Sequence, residues 1–220
     1  MTVDTWEMVL VHRVFRQEFR TLPGLVSAVQ PGDRARTETL AGHVTDVTGA
    51  LHHHHLAEDE LLWPPLLSRA GLHAELAHRM RAQHSRLHEL LQSTDATVAR
   101  WRASAAAPER DELASLITQA SAALDEHLTD EENEVLPLVE EHMTAAEWDA
   151  VTRRGQEAIP KNAKAFLFIG LIIEQATPQE TTRFLNQLPL PVRLAWRAAG
   201  DRMYARAKTR IRGTTSTTGS

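Results

Sequence analysis

The chain of 220 residues contains no cysteine. Disulfides, thiolate metal ligands, iron–sulfur ligation and cysteine nucleophiles are therefore excluded. Aromatic residues are sparse, at 5%, so any core must be packed from aliphatic side chains. Long hydrophobic runs are missing too. The longest, Ala165 to Ile173, is about half the roughly 20 residues a membrane helix needs. The N-terminus, MTVDTWEMVLVHRVFRQEF, is acidic and amphipathic, without the basic segment and apolar stretch of a signal peptide. No glycine-rich phosphate loop and no Ser/His/Asp elbow is found. These absences lead us to expect a soluble, cytoplasmic protein with no membrane partner.

What the sequence does hold is Ala, Leu, Glu and Arg, the residues that form helices most readily. The length suits one large domain, or a domain with an extension. Charge is uneven: residues 1–143 carry 12 Lys/Arg against 23 Asp/Glu, and residues 144–220 carry 12 against 6. A basic tail can touch nucleic acid, but a solvated helix surface is the simpler reading, and no nucleic-acid partner is expected. The conspicuous count is twelve His, concentrated before residue 143.

Four long helical segments are expected there: roughly Thr5 to Leu22, ending near Pro23-Gly24; Asp33 to Ser68; Leu72 to Trp101; and Pro108 to Met143. Pro108 suits a first helical turn. Pro64-Pro65 and Pro137 should kink or tighten their helices rather than end them. Residues 1–143 are thus expected to form an all-α, up-down-up-down four-helix bundle. Residues 144–212 form a helical extension, started by a capping box of Thr144 with Glu147. Residues 213–220 form a low-complexity tail.

The apolar rhythm contains an internal repeat. Leu40, Val44, Val47 and Leu51 follow a 4-3-4 spacing, and Leu113, Ile117, Ala120 and Leu124 follow it 73 residues later. Such a spacing marks the buried seam of a bundle helix. Continuing both rhythms lands on His54 and Glu58, then on His127 and Glu131, with Pro64 and Pro137 at the same offset. In the first segment His12 fills the missing step of the stripe Met8, Phe15, Phe19 and Leu22. In the third, His84 fills that of Met80, Leu87 and Leu91, with His88 one turn beyond. The chain reads as two helical hairpins built to one plan.

Five histidines and two carboxylates at one level of a core cannot be buried without partners except at several kcal/mol for each ionised group. Two metal ions supply the compensating charge. A His and a Glu four residues apart lie about 5–6 Å apart on one helix face, so both reach one dinuclear centre. Imidazole with carboxylate suits iron, with manganese or zinc as alternatives.

At these residues the sequence resembles the hemerythrin-like, or HHE cation-binding, family. The resemblance spans roughly residues 5–143. It rests on His12, on His54-xxx-Glu58 within HHHHLAEDELLWP, on His84-xxx-His88, and on His127-xxx-Glu131 within HLTDEENEVLP. It implies a centre of two bridged iron ions, one held by His84, His88 and His127 and the other by His12 and His54, with Glu58 and Glu131 bridging. The second iron would be one ligand short, open to dioxygen, peroxide or nitric oxide. Classical oxygen carriers of the family place an Asp five residues after the last His. Here Glu131 and Glu132 stand at the two candidate positions, and the repeat selects Glu131. Such carriers also end after the bundle, whereas this chain continues.

The remaining histidines read as bystanders. His52, His53 and His55 are rotated off the stripe by roughly 100° per residue, with His55 plus Asp59 as the alternative register. His43 and His73 lie too far along their helices, and His78 and His142 read as surface. Trp63 and Trp101 read as packing groups. The expected function is reaction with small oxidants in oxidative or nitrosative stress, with catalase-like turnover as the enzymatic form. The alternatives are a reversible O2 or NO carrier or sensor, an iron store, and a metal-free scaffold whose basic tail binds a partner. The extension is a candidate pocket cover or homodimer contact.

Overall fold

The computed structural model describes residues 3–69, 74–157, 159, 162 and 164–213. His73 and the tail beyond Gly213 lie outside the described residues. The bundle is made by α1 (Trp6–Ser27), α2 (Arg34–Ala57), α4 (Ala74–Ser104) and α5 (Ala107–Asp130). A π-helical turn, Glu58–Leu62, joins α2 to α3 (Trp63–Arg69), and a second, Glu131–Val135, joins α5 to α6 (Leu136–His142). Next comes α7 (Ala145–Gln156). Among the described residues there is no strand, and no helix is long and apolar enough to cross a membrane.

Each bundle helix packs against two neighbours: α1 and α4 both touch α2 and α5. The stripes read from the sequence are buried, with Leu40, Val44, Leu51, Leu113, Ile117 and Ala120 all fully inaccessible. At one end of the bundle a second cluster gathers Met8, Leu62, Leu66, Met80, Val135, Val139, Trp148 and Val151. The level of His54 and His127 therefore has apolar packing on both sides.

Local chemistry explains the element ends. The Asp33 side chain accepts from the Arg36 N–H and caps α2, while Gly32 takes φ +84° at the preceding break, a conformation other residues resist. Contrary to expectation, α1 does not stop at Pro23 but continues to Ser27. A proline inside a helix costs about 3 kcal/mol. Continuing the helix buries Val26, at 0% exposure, and leads the chain to Val29, at 3%, a return of about 1.5–3 kcal/mol for each side chain.

The prolines of the repeat act as expected in part: the helices continue through them, but the turn before each is widened. Trp63 N–H donates to Glu58 O and Leu136 N–H to Glu131 O, each across five residues. A proline ring crowds the preceding turn and supplies no donor. A single π turn accommodates it, and such turns often mark functional positions.

The first compact unit runs from Met1 to Ala158. It includes α7, so it extends past residue 143, where the bundle stripes end. Here the expected capping box is present: the Thr144 side chain accepts from Glu147 N–H, and the Glu147 carboxylate accepts from Thr144 N–H. Two buried residues, Trp148 and Val151, seat α7 on the bundle end, and Arg154 pairs with Glu60 at 3.0 Å. So short a stripe leaves little periodic signal. The second unit, Ile159–Ser220, contains α8 (Ala165–Gln175), α9 (Pro178–Gln187), α10 (Leu190–Ala195), a π turn and α11 (Asp201–Arg212). Within it the Tyr204 ring lies so close to Gly170 that any Cβ there would collide with it. The carboxylate of Glu174 accepts from Tyr204, Lys208 and Arg212.

Replacing Trp148 by Ala should cost about 3–5 kcal/mol and release α7. The checks are urea denaturation and faster proteolytic cleavage after Met143. Unchanged cleavage would mean that Trp148 does not hold the helix.

Candidate metal centre

The centre is assembled by the four bundle helices. His12 comes from α1, His54 and His55 from α2, His84 from α4 and His127 from α5. Glu58 and Glu131 are the first residues of the two π turns. All seven are buried, with His12 and His127 at 0% exposure and both glutamates at 1%. Their donor atoms fall into two groups, each with all atoms within 4.8 Å of one another: His55, Glu58, His84 and His127; and His12, His54, Glu58 and Glu131.

Glu58 belongs to both groups. Its Oε1 lies 2.9 Å from His54 Nε2 and its Oε2 3.3 Å from His84 Nε2. Glu131 Oε2 lies 3.5 Å from His12 Nε2 and 3.6 Å from His127 Nε2. Each carboxylate thus lies within 3.6 Å of imidazoles of both groups. Despite these approaches, both oxygens of Glu58 and Glu131, and Nε2 of His55, His84 and His127, make no hydrogen bond. An unsatisfied buried group costs about 1–3 kcal/mol, more when charged. Together these atoms forfeit on the order of 10 kcal/mol, comparable to the whole stability of a domain. Metal cations held by these groups would remove that penalty, and the donor set of nitrogen and oxygen fits them.

A family model for the Hemerythrin HHE cation binding domain matches residues 3–139. The chain belongs to the hemerythrin HHE cation-binding family. A search of curated proteins and one of solved structures found no significant match.

Within the HHE domain, six of the seven residues expected from the sequence converge. His88 does not. It is exposed, its Nε2 pairs with the Gln92 amide at 2.8 Å, and its ring faces His52. The third imidazole of that group belongs to His55, which the sequence analysis had set aside. The reason is geometric. A helix at the corner of a square bundle faces two neighbours about 90° apart, and adjacent residues differ by about 100°. His54 therefore points to α1, with its ring 5.2 Å from that of His12, while His55 points to α4, 4.5 Å from His84. The buried rhythm of α4 runs Met80, His84, Leu87, Leu91. It leaves out His88, which the sequence reading includes as the histidine one turn beyond His84. Of the other histidines, His43 pairs with Glu18 at 2.6 Å in the core, and His53 Nε2 accepts from Arg154 on α7.

Outer hydrogen bonds fix the imidazole tautomers. His12 Nδ1 donates to Glu132 Oε1 at 2.9 Å, and Glu132 is in turn held by Arg16 at 2.6 Å. His84 Nδ1 donates to Asp59 Oδ1 at 3.0 Å, and His127 Nδ1 to Gln83 Oε1 at 3.3 Å. In a neutral ring each such bond leaves Nε2 without a proton toward the interior, the arrangement a metal ligand needs. Asp59 and Glu132 are themselves 73 residues apart. The repeat thus carries the orienting carboxylates as well as the inner ones. This role was missed from sequence, although the signal was present: an acidic residue directly follows each inner glutamate.

In the absence of cations the cluster is electrostatically divided. Burial, with His84 beside it, lowers His127 to about 3 and holds His55 well below the usual imidazole range. Burial also works against charge on His84, but its hydrogen bond to Asp59 and the Glu58 carboxylate beside it raise it to about 10. Burial and the nearby Glu58 push Glu131 well above the carboxylate range. Burial opposes ionisation of Glu58 as well, but the surrounding imidazoles, His54 first, keep it well below that range.

Two predictions follow from this electrostatics and from the outer hydrogen bonds. Cation uptake near pH 7 must displace the proton of His84, and the upward shift of Glu131 works in the same sense, so protons should be released and affinity should rise with pH. Calorimetry in buffers of different ionisation enthalpy measures that release; a value near zero would contradict the assigned charge states. Asp59→Asn and Glu132→Gln should each weaken cation binding about 10- to 100-fold while leaving the fold intact. Chelator competition alongside circular dichroism provides the comparison, and unchanged affinity in both variants would remove the orienting role.

Proposed function

We propose that this chain is a non-haem di-iron protein of the cytoplasm that binds or consumes a small oxidant, O2, H2O2 or NO, in oxidative or nitrosative stress. The observation carrying this reading is Glu58, whose two oxygens approach imidazoles of two different groups while neither has a hydrogen bond. The proposed ligands are His55, His84 and His127 on one side and His12 and His54 on the other, with Glu58 and Glu131 between. An all-nitrogen and oxygen donor set of this kind suits iron. The three-to-two division of imidazoles leaves the His12–His54 side with fewer protein ligands, and so with room for an exogenous one.

When bound, the irons supply Lewis acidity and one-electron redox chemistry. The chain's own residues do the rest. Glu132 and Asp59 hold the Nδ1 protons of His12 and His84, so both rings stay aimed inward. Phe15 packs on the His54 ring at 5.3 Å and, with the fully buried Leu51, keeps that side dry. Because the ligand residues are at most 8% exposed, only a small molecule reaches the interior, which matches diatomic ligands and peroxide.

Elemental analysis with an absorption spectrum before and after peroxide tests the proposal. The expected result is two irons per chain, a spectral change, and oxygen evolution that continues over many turnovers. Glu58→Gln should lose most of its iron and all turnover. Absence of iron uptake, or iron that shows no response to peroxide, O2 or NO, would overturn it. A stable reversible oxy form without turnover would favour the carrier reading.

A further inference from the structure

The structure leaves two histidines unused by the buried cluster, His52 from the HHHH run and His88 from the expected ligand set. They meet at the mouth of a cleft between α2 and α4, of about 440 Å³. Their ring centroids are 5.6 Å apart, at 36°. Glu89 and the half-exposed Asp59 stand in the same walls, and His55 and His84 form part of the lining. At 7% and 8% exposure, both present an unpartnered Nε2. The cleft therefore runs from an exposed imidazole pair to two orphaned donors of the cluster.

The geometry points to this cleft as the path by which a divalent metal cation reaches the buried centre, with His52, His88 and Glu89 as transit ligands. The inference rests on the reading that the cluster holds metal. Its lining includes two carboxylates and neither Lys nor Arg. A cleft of one charge sign with low-dielectric walls concentrates the opposite ion, so cations are drawn in and anions turned away. A hydrated cation sheds its waters stepwise when oxygen and imidazole donors succeed one another. Here an exposed carboxylate and an imidazole pair stand one turn from the inner histidines, with Asp59 in the same walls on their far side. By contrast, the cavity lined by Arg16, Arg20, Phe19 and Asp125 includes none of the cluster residues.

The transit set differs from resident ligands in what its loss does: it changes a rate and leaves the end point alone. The experiment is anaerobic stopped-flow uptake of Fe2+, and separately of Co2+ followed by its visible bands, by the full metal-free chain. A His52→Ala/His88→Ala double variant should load about tenfold more slowly, yet reach the wild-type stoichiometry and final spectrum. Glu89→Lys, an exposed change, should slow loading as well and flatten the fall of the wild-type rate with ionic strength. Thermal melts confirm that both variants are folded. Wild-type loading rates in both variants would overturn the inference. So would a lower final stoichiometry in the double variant, which would make these histidines resident ligands. If the wild type itself takes up no metal, the functional proposal fails instead, and the two failures remain distinct.

Discussion

Two carboxylates and five imidazoles placed in a helical core, with too few hydrogen-bond partners for them, constrain everything else in this molecule. Ionised groups do not stay buried without compensating charge. The chain brings them no permanent cation: Arg16 reaches Glu132 from outside, at 2.6 Å, and none of the ion pairs described brings an arginine or lysine to Glu58 or Glu131. Metal cations would supply the compensating charge. The aliphatic layers on both sides, from Leu51 and Leu124 in one direction and Leu62 and Val135 in the other, raise the penalty by excluding water. They also hold the donors still, so that the groups are already shaped to receive metal.

Duplication explains how a short chain arrives at such a site. A hairpin carrying one His, one His-xxx-Glu pair and a proline contributes three donors; two such hairpins facing each other supply six, and His55, without a counterpart at Leu128, adds the seventh. The prolines at 64 and 137 follow the glutamates by the same interval, and both glutamates open a π turn. The widened turn turns the next carboxylates, Asp59 and Glu132, toward histidines of the opposite hairpin. Each hairpin thus orients a ligand of the other. Neither half of the centre is complete within its own hairpin, and this ties metal binding to assembly of the whole bundle.

Much of this was legible in the sequence because the buried seam and the ligands share one period. Leu40 through Leu51 pointed to His54 and Glu58, and Leu113 through Leu124 to His127 and Glu131. The gaps in two other stripes gave His12 and His84. What escaped was whatever depends on direction around a helix axis rather than spacing along it. His55 faces a second neighbour, which no single stripe shows, and His88 sits one turn from His84 but off the buried ridge. The π turns were not anticipated, although a proline six residues after each glutamate was visible. The extension of α1 past Pro23 and the seating of α7 depend on a few buried side chains, Val26, Trp148 and Val151, too few to set up a rhythm.

The two halves of the repeat match in their inner donors and differ in their surroundings, and the difference has consequences. Glu132 is only 23% exposed and its carboxylate is held by Arg16, which also binds Asp125. That carboxylate is locked in place and its charge partly neutralised, so it adds less electron density to His12. Asp59 is 50% exposed and borders the cleft, with no arginine in the lining; its full charge acts on His84. Imidazole basicity follows the charge of the group that accepts its proton. The His84 side, with three imidazoles, therefore has the stronger donors and the wetter approach, and the His12 side has fewer, weaker donors behind a drier wall. On the proposed reading, an internally repeated core would thereby offer two cation positions unlike one another, one closed by protein ligands and the other with a place for something from outside.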